Sequence, residues 1–419
     1  MAGRRALITV YDKRGVVQLA KGLFELGFEI VSTSGTAKLL KEAGIPVTLV
    51  EEVTSHPEML GGRVKTLHPR IHAAILALRE RGEQMEELAE KGLSPIDIVV
   101  VNLYPFEEVA SREALGVDEV MEQMDVGGHA LMRAAAKNHR YVTVVTDPSQ
   151  YETVLRELQS GGTTAGTRRR LAAEATRRAA AYDVAVSEYL ENLVPREVLP
   201  EILNLSHRKA MDLRYGENPH QRAALYQARG EEGTARGEFI AGRQPSFNNL
   251  RDMDAGLRLV YEFEEPAAAI VKHMNPCGAA SAENIAEAYR AAYASDPASA
   301  YGGVVAVNRE VGEDLAGELA KHFSDALVAP SYSAAALQLL KARRRLVVAR
   351  SKPPRVVRDV ARVSGGLLVQ EPDVHRVDAA GLRVVTRRSP AEQEVRGLLF
   401  AWRVVKHVRS NAVVLAVGR

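Results

Sequence analysis

A single cysteine, Cys277, stands in 419 residues, so no disulfide framework is available and a reducing cytoplasm is the expected setting. No apolar signal core follows Met1, and no stretch approaches the length of a membrane span, so neither export nor membrane insertion is expected. Charge of one sign is nearly absent as a net quantity: 55 Lys+Arg against 53 Asp+Glu leaves +2, too balanced for a chain built mainly to hold nucleic acid. Anionic ligands must then be held by local clusters. There is no Gly-x-x-x-x-Gly-Lys-Ser/Thr loop and no Gly-x-Gly-x-x-Gly fingerprint, which removes support for ATP hydrolysis and nicotinamide chemistry. There is no Cys-x-x-Cys. His68 and His72 have helical i, i+4 spacing without an obvious third ligand, so no catalytic metal is expected.

What is present is 46% hydrophobic and 26% charged sequence, the composition of a soluble globular protein of two or three domains. The first half alternates strand-like and helix-like segments: Ala6 to Val10, Val16 to Leu26, Phe28 to Ser32, Ala37 to Ala43, Ile96 to Val101 and Tyr141 to Val145. Continuous apolar strands in this rhythm predict a doubly wound α/β domain, with ligands at the carboxyl ends of the strands. That places Tyr11 to Gly15, Thr33 to Thr36 and Asn102 to Phe106 around one crevice. An alanine- and arginine-rich helix from Thr167 to Leu190 precedes a proline-containing stretch without period, and a domain boundary is expected there, giving 1–195 and 196–419. The second half mixes strands (Ala268 to Lys272, Gly303 to Val307, Leu346 to Ala349, Leu367 to Gln370) with helices (Ala282 to Ala294, Ala334 to Lys341, Ala391 to His407).

Gly61-Gly62-Arg63-Val64-Lys65-Thr66-Leu67-His68-Pro69 is the densest functional signal. Its glycines permit close approach of backbone to ligand, and its arginine and lysine offer a fork and a point charge to phosphate. Thr33-Ser34-Gly35-Thr36, between a strand and a helix, supplies N–H groups and hydroxyls for an anion, with Lys13 on the preceding loop. Tyr104, Asp125 and Lys137 are candidates for acid, base and charge stabilisation, although each also suits an ordinary role as core tyrosine, helix cap or solvated lysine. In the second half, an adjacent Lys272-His273 pair ends a buried strand, where a partly desolvated lysine stabilises developing negative charge and a histidine titrates near neutrality. Arg214 to Gln221 forms another polar cluster with tight turns.

These motifs, in this order, resemble the bifunctional purine-biosynthesis enzymes that combine AICAR transformylase and IMP cyclohydrolase. The resemblance runs from Ala6 to Ala416 and rests on Gly61 to Pro69, Asn102 to Phe106, Ala134 to His139, Leu213 to Gln221, Val271 to Gly278, Ser299 to Gly303, Gly365 to Gln370 and Ser410 to Ala412. It implies a methylglyoxal-synthase-like doubly wound domain that closes the purine ring, followed by two cytidine-deaminase-like subdomains that transfer a formyl group from 10-formyltetrahydrofolate. It implies a cytoplasmic homodimer acting on AICAR, FAICAR and IMP, with no nucleic-acid or membrane partner. Carried over, Lys13, Thr33, Ser34, Gly35, Thr36, Arg63, Lys65 and Thr66 would hold substrate phosphate, with Asn102 and Gly127 beside them. Lys65, Tyr104, Asp125 and Lys137 would assist ring closure. His273 would take the proton from the AICAR amine and Lys272 would stabilise the oxyanion, with Arg214, Tyr215, Tyr301, Gly302, Asp325 and Asn411 at substrate positions.

This sequence departs from the family pattern in three places. His129 stands where proline is usual, and Ser34 replaces a glycine of the phosphate loop. The family continues beyond Ser410-Asn411-Ala412 into segments that complete the second subdomain, whereas these residues end at Gly418-Arg419, so formyl transfer by them alone is expected to be poor. A single-activity cyclohydrolase and a non-catalytic nucleotide sensor are the competing readings; the retained Lys65, Tyr104, Asp125, Lys137, Lys272 and His273 speak against the sensor.

Overall fold

In the computed structural model, residues 3–112, 114–195, 197–228 and 231–419 are described. The chain divides into two units, 1–196 and 197–419. Residue 196, at the expected domain boundary, lies outside the described residues.

The first unit is built on strands buried along their whole length. β1 (Arg4–Val10), β2 (Phe28–Ser32), β3 (Thr48–Leu49), β4 (Ile98–Asn102) and β5 (Thr143–Val145) pair in parallel in the order β3-β2-β1-β4-β5. Runs such as Ile98-Val99-Val100-Val101 are apolar on both faces because helices cover both. The helix Val16–Glu25 shows how this is achieved: Val16, Leu19, Ala20 and Leu23, at helical spacing, are all buried. The strand order reverses direction between β1 and β4. At such a switch point the loops leaving the two strand ends diverge to opposite faces and leave a crevice.

The second unit carries a mixed sheet, β10-β9-β11-β12-β13-β8, from β8 (Glu238–Ala241), β9 (Ala267–Lys272), β10 (Asn275–Ser281), β11 (Val304–Val307), β12 (Ala326–Ala329) and β13 (Val347–Arg350). Alternate residues face opposite sides. Ala268, Ile270, Val305 and Leu327 pack with helices Ile285–Ser295, Glu313–Ala320 and Ala334–Lys341. Ala269, Val271, Val304 and Val328 pack with Phe247–Val260 and with Phe400 and Val404 of the helix Glu392–Val405. β6 (His207–Asp212) and β7 (Ala224–Ala228) form a hairpin, as do β14 (Asp359–Val363) and β15 (Gly366–Gln370). Among the described residues after β13, that hairpin and the helix Glu392–Val405 are the regular elements, and they build no second large sheet.

The helix Glu392–Val405 is fastened by charge as well as packing. Lys406 Nζ lies 2.9 Å and His407 Nε2 3.1 Å from Glu262 Oε1, all three side chains being largely buried. Burial alone raises the Glu262 carboxyl, but the bonds from His407 and Lys406 outweigh it and hold it down at about 2.

Candidate active sites

In the first unit the expected crevice forms at the switch point. Asn102, ending β4, accepts the N–H groups of Tyr11 (2.7 Å) and Asp12 (2.9 Å) on one amide oxygen, stitching the loop after β1 to the end of β4. The Tyr104 ring, which is exposed rather than part of the core, leans on Tyr11 with centroids 5.2 Å apart. Lys13 folds under the loop, donating to the Val10 carbonyl and, at 2.7 Å, to Thr36 Oγ1. Burial lowers its pKa. Thr33 Oγ1 lies 3.0 Å from Thr9 Oγ1. The helix Ser34–Glu42 begins here without a side-chain cap, so its first N–H groups, including that of Gly35, remain available to an anion.

A pocket of roughly 150 Å³ opens beside this helix start, lined in part by Thr33, Ser34, His56, Glu58 and Lys65. Lys65 Nζ reaches Ser34 Oγ at 3.4 Å and Glu58 Oε2 at 3.2 Å. Gly62 makes that possible: it sits at φ 92°, and a Cβ there would meet Lys65 Cε at 2.5 Å. Arg63 does not join the pocket. Its guanidinium pairs instead with Glu122, Nε to Oε2 at 3.1 Å, because the backbone turns between residues 62 and 65 and sends the two cations apart.

Thr66 is buried against the start of the helix Gly127–Lys137, where a Cβ on Gly127 would meet its Oγ1 at 2.9 Å. A Cβ on Gly128 would meet Asp125 Oδ2 at 2.7 Å. The two glycines thus let Thr66 and the acidic loop share one space. Asp125 Oδ1 accepts from the Gly128 N–H at 2.7 Å, and the carboxylate also accepts from the Tyr104 N–H. Burial pushes the Asp125 pKa up, against the pull of those bonds and of His129. The long helix Ala165–Glu191 fixes this loop: Tyr182 Oη accepts the Asp125 N–H at 2.8 Å and donates to the Gln123 carbonyl at 3.3 Å. His129, in place of proline, has Nε2 3.0 Å from Asp183 Oδ1 on the same helix. Lys137 lies ten residues further along Gly127–Lys137 and is exposed; among the described residues no polar contact links it to Lys65, Tyr104 or Asp125. Glu58 and Tyr182 were not evident from sequence. The carboxylate in Pro57-Glu58, abutting a cationic loop, is the one signal for Glu58.

In the second unit β9 and β10 are joined by a two-residue turn, His273-Met274, with Lys272 paired to Asn275. Both turn residues have positive φ, 56° and 63°, as a type I′ turn requires. That turn favours Asn-Gly, and side chains such as these cost on the order of 1 kcal/mol each there. The left-handed step turns His273 outward: Val271 is buried and Lys272 half-buried, but His273 is exposed, so the expected desolvation stops short of the histidine. Lys272 Nζ donates to the Tyr301 carbonyl at 3.0 Å. Tyr301 is exposed and leans on Phe323, while Gly302, at φ 73°, donates to the Phe323 carbonyl. The Arg409 N–H donates to Asn275 Oδ1 at 3.2 Å, which brings exposed Asn411 to the same neighbourhood. Asp325 is committed elsewhere: it holds Arg243 and accepts from Asn249 Nδ2 at 2.7 Å. Arg214 lies over the Tyr215 ring and donates to its hydroxyl at 3.0 Å. Cys277, on β10, donates weakly to the Ser299 carbonyl at 3.5 Å, and burial and Asp296 push its thiol pKa up.

Among the described residues, no group of three or more His, Cys, Asp or Glu side chains is placed to hold a metal. No helix among them is long and apolar enough to cross a membrane.

Each unit carries a cluster of polar side chains on its own sheet, and comparison with known proteins makes the protein a bifunctional enzyme. Residues 15–130 match the MGS-like domain and residues 135–419 the AICARFT/IMPCHase bienzyme family. The bifunctional purine biosynthesis protein PurH of Halalkalibacterium halodurans is 48% identical over 422 residues, covering 99% of this chain and 82% of that protein. The proteins of the same name from Anoxybacillus flavithermus and Thermoanaerobacter sp. are 48% and 47% identical, with the same coverage. A solved structure titled "Crystal structure of ForH" aligns with 45% of this chain and 98% of its own at 38% identity and a TM-score of 0.41. The chain belongs to the AICARFT/IMPCHase bienzyme family.

Proposed function

We propose that the second unit formylates the 5-amino group of AICAR from 10-formyltetrahydrofolate and that the first closes the product, FAICAR, to IMP. The family match along the chain carries this reading, and the two sites agree with it. In ring closure the carboxamide nitrogen attacks the formyl carbon and water leaves; no electrons are gained or lost. The needs are positioning, proton transfer and charge stabilisation. Lys13, Thr33, Ser34, Gly35, Thr36, Lys65 and Thr66 form the phosphate end. Asp125, held by Gly128 and Tyr104 N–H groups, moves the proton, and Lys65 and Tyr104 assist ring closure. Lys137, at the end of the helix Gly127–Lys137, and Arg63, paired with Glu122, stand outside this cluster. In formyl transfer His273 takes the amine proton as nitrogen attacks the formyl carbon, Lys272 stabilises the oxyanion, and the folate nitrogen leaves. Arg214, Tyr215, Tyr301, Gly302 and Asn411 frame the substrates, while Asp325 stays paired with Arg243 and Asn249.

Purified protein should convert FAICAR to IMP in the presence of a chelator, and should formylate AICAR only when the formyl folate is added. Loss of ring closure that added metal restores would overturn the cofactor-free part. Ring closure without any formylation would favour the single-activity alternative.

The same reading makes the protein a cytoplasmic homodimer. The second unit exposes Leu368, Val374, Val385, Trp402 and Leu415, apolar surface of the kind a partner covers.

A further inference from the structure

We infer that Asp252 is the positioning residue of the formyl-transfer site, its carboxylate holding the His273-Met274 turn in the left-handed form that presents Lys272 and His273 together. The inference rests on the reading of Lys272 and His273 as the reacting pair.

Asp252 lies within the helix Phe247–Val260 and is only 8% exposed, between Leu250 and Met253 of the sheet-facing side. It caps nothing: the helix start is closed by Ser246, whose hydroxyl accepts from the Asn249 N–H. A carboxylate in such a place is costly unless hydrogen bonds satisfy it. Its partners are two consecutive backbone donors, the His273 N–H on Oδ2 at 3.3 Å and the Met274 N–H on Oδ1 at 2.7 Å. Those donors belong to the two residues with positive φ. Neither is glycine or asparagine, so the turn's own sequence does not favour the shape it takes. The other supports are weaker: Asn275 Nδ2 donates to the His273 carbonyl at 3.2 Å, and Arg409 reaches the Met274 sulfur.

Geometry separates this role from direct chemistry. The carboxylate bonds to backbone N–H groups, so it acts on the shape of the turn rather than as a relay to the imidazole. Relaxing either residue to negative φ would swing His273 relative to Lys272, whose own Nζ is anchored at the Tyr301 carbonyl. Strain retained at one point and stabilised by a buried charge is the mark of a preorganised site.

The test uses the full chain. In Asp252→Ala, the His273 and Met274 amides, followed by hydrogen exchange with mass spectrometry, should exchange at least about tenfold faster than in wild type. Asp252→Asn, which keeps one acceptor, should fall between. With AICAR and 10-formyltetrahydrofolate, kcat should drop about 10²-fold in Asp252→Ala, as small misplacements do, with the AICAR KM within about threefold. Ring closure of FAICAR, performed by the other unit, should be unchanged and certifies folding there. Met274→Gly placed in the Asp252→Ala chain should restore formylation about tenfold relative to Asp252→Ala alone, because glycine takes the left-handed form without cost. Unchanged amide exchange in both Asp252 variants would overturn the inference, as would faster exchange with no rescue by glycine. A collapsed Asp252→Ala second unit leaves Asp252→Asn to decide by the same readouts. Failure of the underlying reading looks different: His273→Ala would formylate at the wild-type rate while the exchange results stood.

Discussion

Asp125 is half-buried, and its raised pKa separates it from the many solvated carboxylates of this chain. A base of this kind is carboxylate only above its raised pKa, so ring closure should fall on the acid side at a pH above the ordinary aspartate value of 3.8. Asp125→Asn should remove that acid limb and lower kcat by roughly 10²-fold or more, read from a pH–rate profile with FAICAR. Lys65→Ala should cost a similar factor, with the KM for FAICAR rising as well, because Lys65 faces the pocket. Arg63→Ala should change KM far less, since that guanidinium is already paired with Glu122 outside the pocket. The contrast also shows how far the sequence reaches at this scale. It placed both cations in one loop, but which of them lines the pocket depends on the turn that the backbone makes through Gly62 to Lys65, and residue types do not encode that. Asp252 was invisible for a related reason: its partners are backbone N–H groups 21 and 22 residues away, which carry no side-chain signature.

Among the elements, the strands were the most legible. Continuous apolar runs located all four principal strands of the first sheet to within about two residues, because burial on both faces leaves no polar position to confuse the pattern. The His273-Met274 turn was not legible, since His and Met give no type I′ signal. Nor was the purpose of the helix Ala165–Glu191, whose alanine and arginine pattern shows a packed face but not that Tyr182 reaches the acidic loop. Tyr182→Phe leaves the Asp125 N–H and the Gln123 carbonyl without that partner, a loss of about 1–3 kcal/mol. It should slow ring closure while leaving formylation untouched, measured as two separate assays. Glu262 governs another element. Its pKa is depressed from an ordinary 4.5 to about 2, so its contribution is complete above 4.5 and disappears as pH falls through that range to about 2. At neutral pH it is worth about 3 kcal/mol, and Glu262→Gln, leaving Lys406 buried without its carboxylate, should lower the calorimetric melting temperature at pH 7 and abolish that part of the acid sensitivity.

For the whole molecule, the two units give two independent losses. His273→Ala should eliminate formylation and spare ring closure, and Asp125→Asn should do the reverse; a mixture of the two variants should still carry AICAR to IMP through released FAICAR. Light scattering at micromolar concentration should give twice the 45.7 kDa chain mass; a clean monomer would count against the homodimer reading.

With Cys277 as the chain's only thiol, a thiol-selective reagent has a single address. That address lies on β10, two residues past the Lys272–Asn275 pairing, and the raised thiol pKa keeps it mostly protonated near neutrality. A fluorescent maleimide introduced at mildly alkaline pH would therefore make a stoichiometric optical reporter beside the His273-Met274 turn, without introducing or removing a single residue.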